Sequence, residues 1–417
     1  MKKPYIWDSY SDQPYPLKDK TYKKTMRKRS FLSLIKTVFI SLIVLPVSLI
    51  ATPFIKRKKI NSKFFFSIGV DYQREAKKTL EFINELGVQH ILVRLKLWEM
   101  GSIDELKKFL LEYEDKQVTL KIMQDRENIV DLELFKNNLK IIFTTLNNLV
   151  DIYEIGTTIN RAKWGFFSVD EYNAFFKTAY DLRNKSFSHI KLIGSGVIDF
   201  EYHFTAHTLF NFYNYKYDGV SALLYVDRRG APENTQLGFT LSDKIALLST
   251  MVWLSKKTNQ KLYITETNWP ISNTAPYAPT SEKECVDPEK YADFMLRYYL
   301  LAFASQQVDS VSWHQLIAPG YGLVDNREGI KKYSAFQTYK VMYKYLQNAQ
   351  FLRLDIKRGY YILQFLVDDV LLQIHWALKP TTFKNESIFE VYSRDGKKIE
   401  DENLKIGSSP VYIFIKN

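Results

Sequence analysis

Residues 64–123 read FFFSIGVDYQREAKKTLEFINELGVQHILVRLKLWEMGSIDELKKFLLEYEDKQVTLKIM, and their rhythm decides the architecture. Three short apolar runs, at 64–70, 90–95 and 118–123, have the length and composition of buried strands. Between them lie two amphipathic stretches, 75–86 and 103–113, long enough for three helical turns. Strand, helix and strand joined by short links imply parallel strands with helical crossovers. The rhythm continues with strand readings at 150–156, 190–196, 219–226, 261–265 and 308–313, and helices at 169–183, 241–256 and 287–304. Eight such units over about 280 residues match a (β/α)₈ TIM barrel. An open doubly wound sheet is the runner-up, but no glycine-rich phosphate loop follows the first strand.

Beyond the barrel the texture changes. From residue 347 onward the chain alternates with period two, turns at Arg394-Asp395-Gly396 and ends in the β run SPVYIFI (409–415), the signs of a small all-β module. The expected organisation is a basic tail (1–36), an apolar segment (37–55), a basic linker (56–63), the barrel (64–346) and a C-terminal β domain (347–417). A hydrophobic content of 46% and an aromatic content of 15% are enough to fill both cores, and exclude disorder for most of the length. Tyr, Phe and Trp at this density suit stacking on sugar rings, although an aromatic core is the commoner use. With Cys285 as its one cysteine the chain has no internal disulfide.

The net charge of +12 looks like a nucleic-acid signal until it is located. Residues 1–63 hold 15 Lys and Arg against Asp8, Asp12 and Asp19, while the remainder has 43 basic and 43 acidic residues. The basicity therefore belongs to the amino-terminal segment, and the folded body carries no nucleic-acid footprint. Within that segment Thr37–Ile55 is a run of 19 uncharged residues, TVFISLIVLPVSLIATPFI, about the length that crosses a bilayer core. Lys and Arg flank it on both sides, eight from Lys18 to Lys36 and five from Lys56 to Lys63. The excess before the run favours a cytoplasmic amino terminus. A helix broken at Pro46 could instead dip into the bilayer and return. Either way residues 37–55 are expected to meet membrane lipid, with a bacterial inner membrane as the location; a buried soluble helix is the bland alternative.

In such a barrel the reactive groups lie at the carboxyl ends of the strands. Strand seven ends Tyr263-Ile264-Thr265-Glu266-Thr267-Asn268-Trp269-Pro270, which sets a carboxylate at the mouth with Trp269 three residues on. Strand eight ends Trp313-His314-Gln315, followed by GYGLVDN (320–326); strand six ends near Tyr225 and strand two at Arg94. These landmarks together resemble the clan of TIM-barrel retaining glycosidases, bacterial β-xylosidase-like proteins among them, from about residue 64 to the carboxyl terminus. The resemblance implies Glu266 as the nucleophile that attacks an anomeric carbon, with Arg94 and Tyr225 hydrogen-bonded to it. Trp269, Trp313 and His314 would contact the sugar.

The pattern breaks at strand four. The family's Asn-Glu pair, which carries the acid/base, falls on Thr157 and Thr158 in the stretch Tyr153-Glu154-Ile155-Gly156-Thr157-Thr158-Ile159-Asn160-Arg161. A threonine hydroxyl cannot donate a proton near neutral pH, and losing a general acid costs about 10²–10⁴-fold. Leu223 also stands where the family often has a histidine two residues before the strand-six tyrosine.

Three readings remain open. Another carboxylate at the mouth supplies the proton, with Asp227 ahead of Asp125 and Glu201. Or the leaving group is a sugar-linked phosphate that departs as an anion, with Arg126, Arg161, Lys163, Arg228 or Arg229 beside it. Or the site binds a glycan without reacting. Asp125, Asn160 and Trp164 are further candidates for substrate contact, each with a packing or capping role as its alternative. His203 and His207 have metal-like spacing without a third ligand, so no metal and no organic cofactor is expected. The leading expectation is a glycosidase or transglycosylase acting on a cell-envelope or surface polysaccharide. A non-catalytic glycan-binding or assembly protein is the competing class.

Overall fold

A computed structural model describes residues 1–226, 230–383, 388–400 and 404–415. Its eight parallel strands are β1 (Phe66–Val70), β2 (His90–Lys96), β3 (Gln117–Met123), β4 (Ile152–Ile155), β5 (Lys191–Ile198), β6 (Gly219–Leu223), β7 (Leu262–Thr267) and β8 (Ser310–Trp313). They pair in chain order and close when β8 joins β1, with Val311 beside Phe66 and Trp313 beside Ile68. Almost every strand residue is buried, because side chains on one face fill the barrel and those on the other lie under helices. That is why the strands read as apolar runs rather than as alternation.

The helices of eight residues or more are α1 (Lys20–Arg29), α2 (Phe31–Ala51), α3 (Ala76–Leu86), α4 (Ile103–Leu111), α5 (Leu132–Leu146), α6 (Val169–Ser186), α7 (Tyr202–Leu209), α8 (Leu241–Leu254), α9 (Pro288–Ser305) and α10 (Ser334–Leu346). One of α3–α10 follows each barrel strand. Their starts are written in side chains: Asp131, Ser168 and Asp287 cap α5, α6 and α9 through backbone amides, and Thr240 with Asp243 forms a reciprocal capping box on α8.

The main sheet of the carboxyl-terminal module has five strands among the described residues: β9 (Gln350–Lys357), β10 (Tyr360–Val367), β11 (Val370–Ala377), β13 (Ile388–Ser393) and β15 (Val411–Ile415). They make an antiparallel sheet in the order β9-β10-β11-β15-β13, beside a small pair of β12 (Thr381–Phe383) and β14 (Leu404–Ile406). The sheet packs on the barrel's last helices through Phe303 against Phe365 and Tyr345 against Tyr412. Arg394 also reaches Glu289 and Asp293 of α9.

The first 36 residues, whose charge reads as a tail, carry structure. Trp7–Asp8 pairs with Gln13–Pro14 in a short hairpin, and α1 follows. Helix α2 begins at Phe31, six residues before the uncharged run, and continues through Pro46. It docks on the barrel flank through Ser33, Thr37, Ser41, Val44 and Ser48, spaced three and four apart on one face. Thr37 Oγ1 shares a hydrogen bond with His207 Nδ1 at 2.8 Å, and Ser41 donates to the His203 carbonyl at 3.3 Å. Near its start Lys36 pairs with Asp170 at the head of α6; beyond its end Lys58 pairs with Asp309, just before β8. The helix thus runs from the mouth of the barrel to its base, about 31 Å for its 21 residues.

Candidate active site

The carboxyl ends of the strands surround a cavity of about 340 Å³. Glu266, the fifth residue of β7, stands in its wall. Tyr225, two residues past β6, donates to Glu266 Oε1 at 2.9 Å, and the Lys121 ammonium of β3 lies 3.3 Å from Oε2. Burial would push this carboxyl up, but Lys121, His314, Arg94 and the Tyr225 hydroxyl outweigh it and hold it down at about 2. Glu266 is therefore ionised across the neutral range.

Lys121 also sits 3.5 Å from Glu154, which is wholly buried inside the barrel and accepts from Thr265 Oγ1 at 2.8 Å. One ammonium serves two carboxylates. Desolvation raises the Glu154 carboxyl despite Lys121, whereas Glu266 is drawn down.

After β4, Gly156, Thr157 and Thr158 turn the chain across the mouth. Gln124, just past β3, locks this turn by accepting from the Thr157 amide at 2.9 Å and donating to the carbonyls of Thr157 and Trp164 at 2.8 and 2.9 Å. Thr158 lines the cavity with φ at +51°, a left-handed conformation that costs a β-branched residue of order 1–3 kcal/mol.

The amino-terminal hairpin roofs the cavity. Trp7 packs against Trp98 after β2 and Trp164 after β4, with ring centroids 5.2 and 5.9 Å apart. Gln13 accepts from Lys163 at 2.7 Å and donates to the Pro279 carbonyl, beyond β7, at 3.1 Å. Asp12 is pressed into the cavity against Arg94, and that guanidinium is the main influence that overcomes burial and holds its carboxyl at about 2. His314 stacks on Tyr321 at 5.1 Å, and burial drives its imidazole down to about 3, so it is neutral at pH 7.

Of the residues singled out from the sequence, Arg94, Arg161, Lys163, Trp164, Tyr225, Glu266 and His314 meet in this cavity. Arg94 pairs with Asp12 rather than hydrogen-bonding Glu266. Trp269 and Trp313 stand elsewhere: both are fully buried, stacked on each other at 5.9 Å, with their indole N–H groups on the Gly230 carbonyl and the Tyr291 hydroxyl. They support the ends of β7 and β8 from behind and present no face to a sugar. Asp125 caps the short helix Arg126–Val130 and bonds Asn128. Asn160 holds the Ile198 backbone and Glu201. His203 and His207 lie under α2 on the flank. Arg126 pairs with Glu171, and Arg161 with Asp199 and Glu201. Asp227, Arg228 and Arg229 lie outside the described residues.

Two functional neighbours escaped the sequence reading. Lys121 could have been found as the lone charge in VTLKIM, a cation in the middle of a buried strand. Asp12 carries no local signal, since only the folding back of the hairpin brings it to the mouth. Among the described residues no cluster of His, Cys, Asp or Glu is arranged to hold a metal.

No family model matches the chain, and no curated protein matches it in sequence. Solved structures do match in fold. A family 39 glycoside hydrolase from the gut symbiont Bacteroides cellulosilyticus WH2 superposes with a TM-score of 0.68 at 14% identity, over 86% of this chain and 82% of that one. A family 39 β-xylosidase from Caulobacter crescentus gives 0.60 at 12%, over 87% and 98%. A family 30 endoxylanase from Clostridium papyrosolvens C71 gives 0.58 at 10%, over 87% and 97%. The chain therefore shares the barrel and all-β module architecture of glycoside hydrolases.

Proposed function

We propose that this protein cleaves or transfers a sugar of a cell-envelope or surface polysaccharide, with Glu266 as the nucleophile and residues 37–55 seating it at a membrane. The observation that carries the reading is the ionic support of Glu266: a carboxylate held ionised at about 2 by Lys121, Arg94 and Tyr225 in the wall of a sugar-sized cavity. Attack by Glu266 on the anomeric carbon forms an ester as the glycosidic bond breaks. Tyr225 orients the carboxylate, and neutral His314 and Trp164 contact the ring.

The departing oxygen needs a proton unless it belongs to a phosphate. Asp12 and Asp199 are ion-paired with Arg94 and Arg161, which suits neither to proton donation. Asp227, two residues past Tyr225, is the carboxylate we assign as donor. If the donor sugar is phosphate-linked, the electron pair leaves with the phosphate and no donor is required. Thr158 at the family's acid/base position favours a second reading, a glycan-binding protein that has kept the enzyme's cavity.

Intact-mass spectrometry after exposure to 2-fluoro-glycosides with an activated leaving group tests Glu266 without needing a proton donor. An adduct on the wild type, absent from Glu266→Gln, is the expected result. No adduct across a panel of sugars would favour the binding-protein reading.

A further inference from the structure

Helix α2 buries a small polar face against the barrel, and the opposite face is apolar and uncovered. Phe39, Leu42, Ile43 and Ile50 are each more than half exposed. A continuous apolar face of this kind marks an interaction surface. Because α2 is docked along the whole flank, it cannot cross a bilayer in this arrangement without carrying the barrel's polar helices with it. It fits instead an orientation in the plane of the interface, with the barrel on its side and the mouth opening along the membrane surface.

At the mouth end, α1, the start of α2 and the loop after β4 enclose a groove of about 1030 Å³. One wall carries Lys20, Lys23, Lys24, Arg27 and Lys28, and these cations have no salt bridge among the described residues. The other wall is apolar, with Leu34, Phe166, Val169 and Phe204. A row of unpaired cations facing an apolar trough is complementary to one kind of molecule, an anion joined to a hydrocarbon chain. A free anion would leave the trough empty, and an acidic peptide would set charge against it. The groove also shares a wall with the sugar cavity: Thr158, Arg161, Lys163 and Trp164 line the cavity, while Ile159, Asn160 and Ala162 of the same loop line the groove.

We propose that this groove binds a lipid with a phosphate headgroup, its phosphate on the α1 cations and its chain along the apolar wall beside Leu34. The proposal rests on the membrane part of the reading above and is independent of the chemistry of Glu266. It places a lipid phosphate next to the sugar cavity, as a lipid-linked sugar would require.

Native mass spectrometry of the full-length protein in detergent tests it, with phosphatidic acid, a diacylglycerol of the same chains, inorganic phosphate and poly-glutamate as probes. One retained phosphatidic acid is expected. Retention should fall more than about tenfold when Lys23, Lys24, Arg27 and Lys28 are replaced by Ala. It should be lost in Leu34→Trp, which fills the groove from an exposed position, and kept in Leu42→Trp on the outer face. Equal retention of diacylglycerol, or retention unchanged in Leu34→Trp, would overturn the proposal. So would inorganic phosphate or poly-glutamate binding as tightly as the lipid, the first marking an anion site and the second an acidic protein partner. Co-sedimentation with phosphatidylcholine vesicles containing phosphatidylglycerol reads the membrane seat separately. Leu34→Trp should still sediment with them. Vesicle binding by a protein that retains no phosphatidic acid overturns the groove and leaves the membrane seat standing.

Discussion

The ends of β7 and β4 line the same cavity with opposite equipment. At β7, Glu266 is exposed to the cavity and held ionised by Lys121, Tyr225 and Arg94. At β4, the carboxylate present is Glu154, wholly buried with its carboxyl raised, and the residue that reaches the cavity is Thr158 in a left-handed turn. The difference teaches that the two strand ends are equipped separately in this barrel. An ionised carboxylate faces the cavity at β7, and a threonine hydroxyl faces it at β4.

The largest test of that contrast is Glu266→Gln, which should lower turnover of a glycoside with an activated leaving group by about 10⁴-fold or more, measured as kcat/KM. A loss below about tenfold would mean that the β7 end is not where the chemistry occurs. Next in size is Lys121→Met, which leaves two buried carboxylates without their cation. A stability loss of about 3–5 kcal/mol in chemical denaturation is expected, and Glu154→Gln in the same background should recover part of it.

The acid limb of stability sharpens the comparison further. An unfolded Glu266 takes up a proton near 4.5, while the folded one resists until about 2. The unfolded chain thus binds more protons between those values, and stability falls as pH drops from about 5 toward 2. The contribution of Glu266 is about 3 kcal/mol. It should vanish in Glu266→Gln, whereas Glu154→Gln, whose carboxyl is raised rather than lowered, should not remove it. The smallest expected effect is a gain: Thr158→Glu, by putting a carboxyl at the β4 end, should raise hydrolysis of an unactivated glycoside by about 10²-fold and leave activated substrates little changed. An equal change on both substrates would show that proton donation is not what the β4 end lacks.

Much of the fold was legible because each strand–helix unit is a local pattern. The reading of 90–95 became β2 (His90–Lys96), and 103–113 became α4 (Ile103–Leu111), with boundaries shifted only by caps and fraying. Glu266 and Tyr225 were legible because barrel topology sets strand ends at the mouth. Trp269 and Trp313 were misread because position along a strand says which end a residue is near, and period two alone does not say whether the ring turns into the mouth or back under α9. The basic character of residues 1–36 hid their structure, since charge composition gives no account of a hairpin held by Trp7, Gln13 and Asp12 to β2 and to loops, all more than 80 residues away.

The sequence by itself determined the barrel, its β module, the charge of the amino-terminal segment and the placing of a carboxylate at the end of β7, all of which follow from short-range periodicity and composition. Only the tertiary structure decided that Lys121 is shared between Glu154 and Glu266, that Asp12 rather than Glu266 takes Arg94, and that α2 lies along the barrel with its apolar side outward. Those are contacts between residues far apart in the chain. Their outcome depends on which groups burial forces to find a counter-charge, and no local pattern records that.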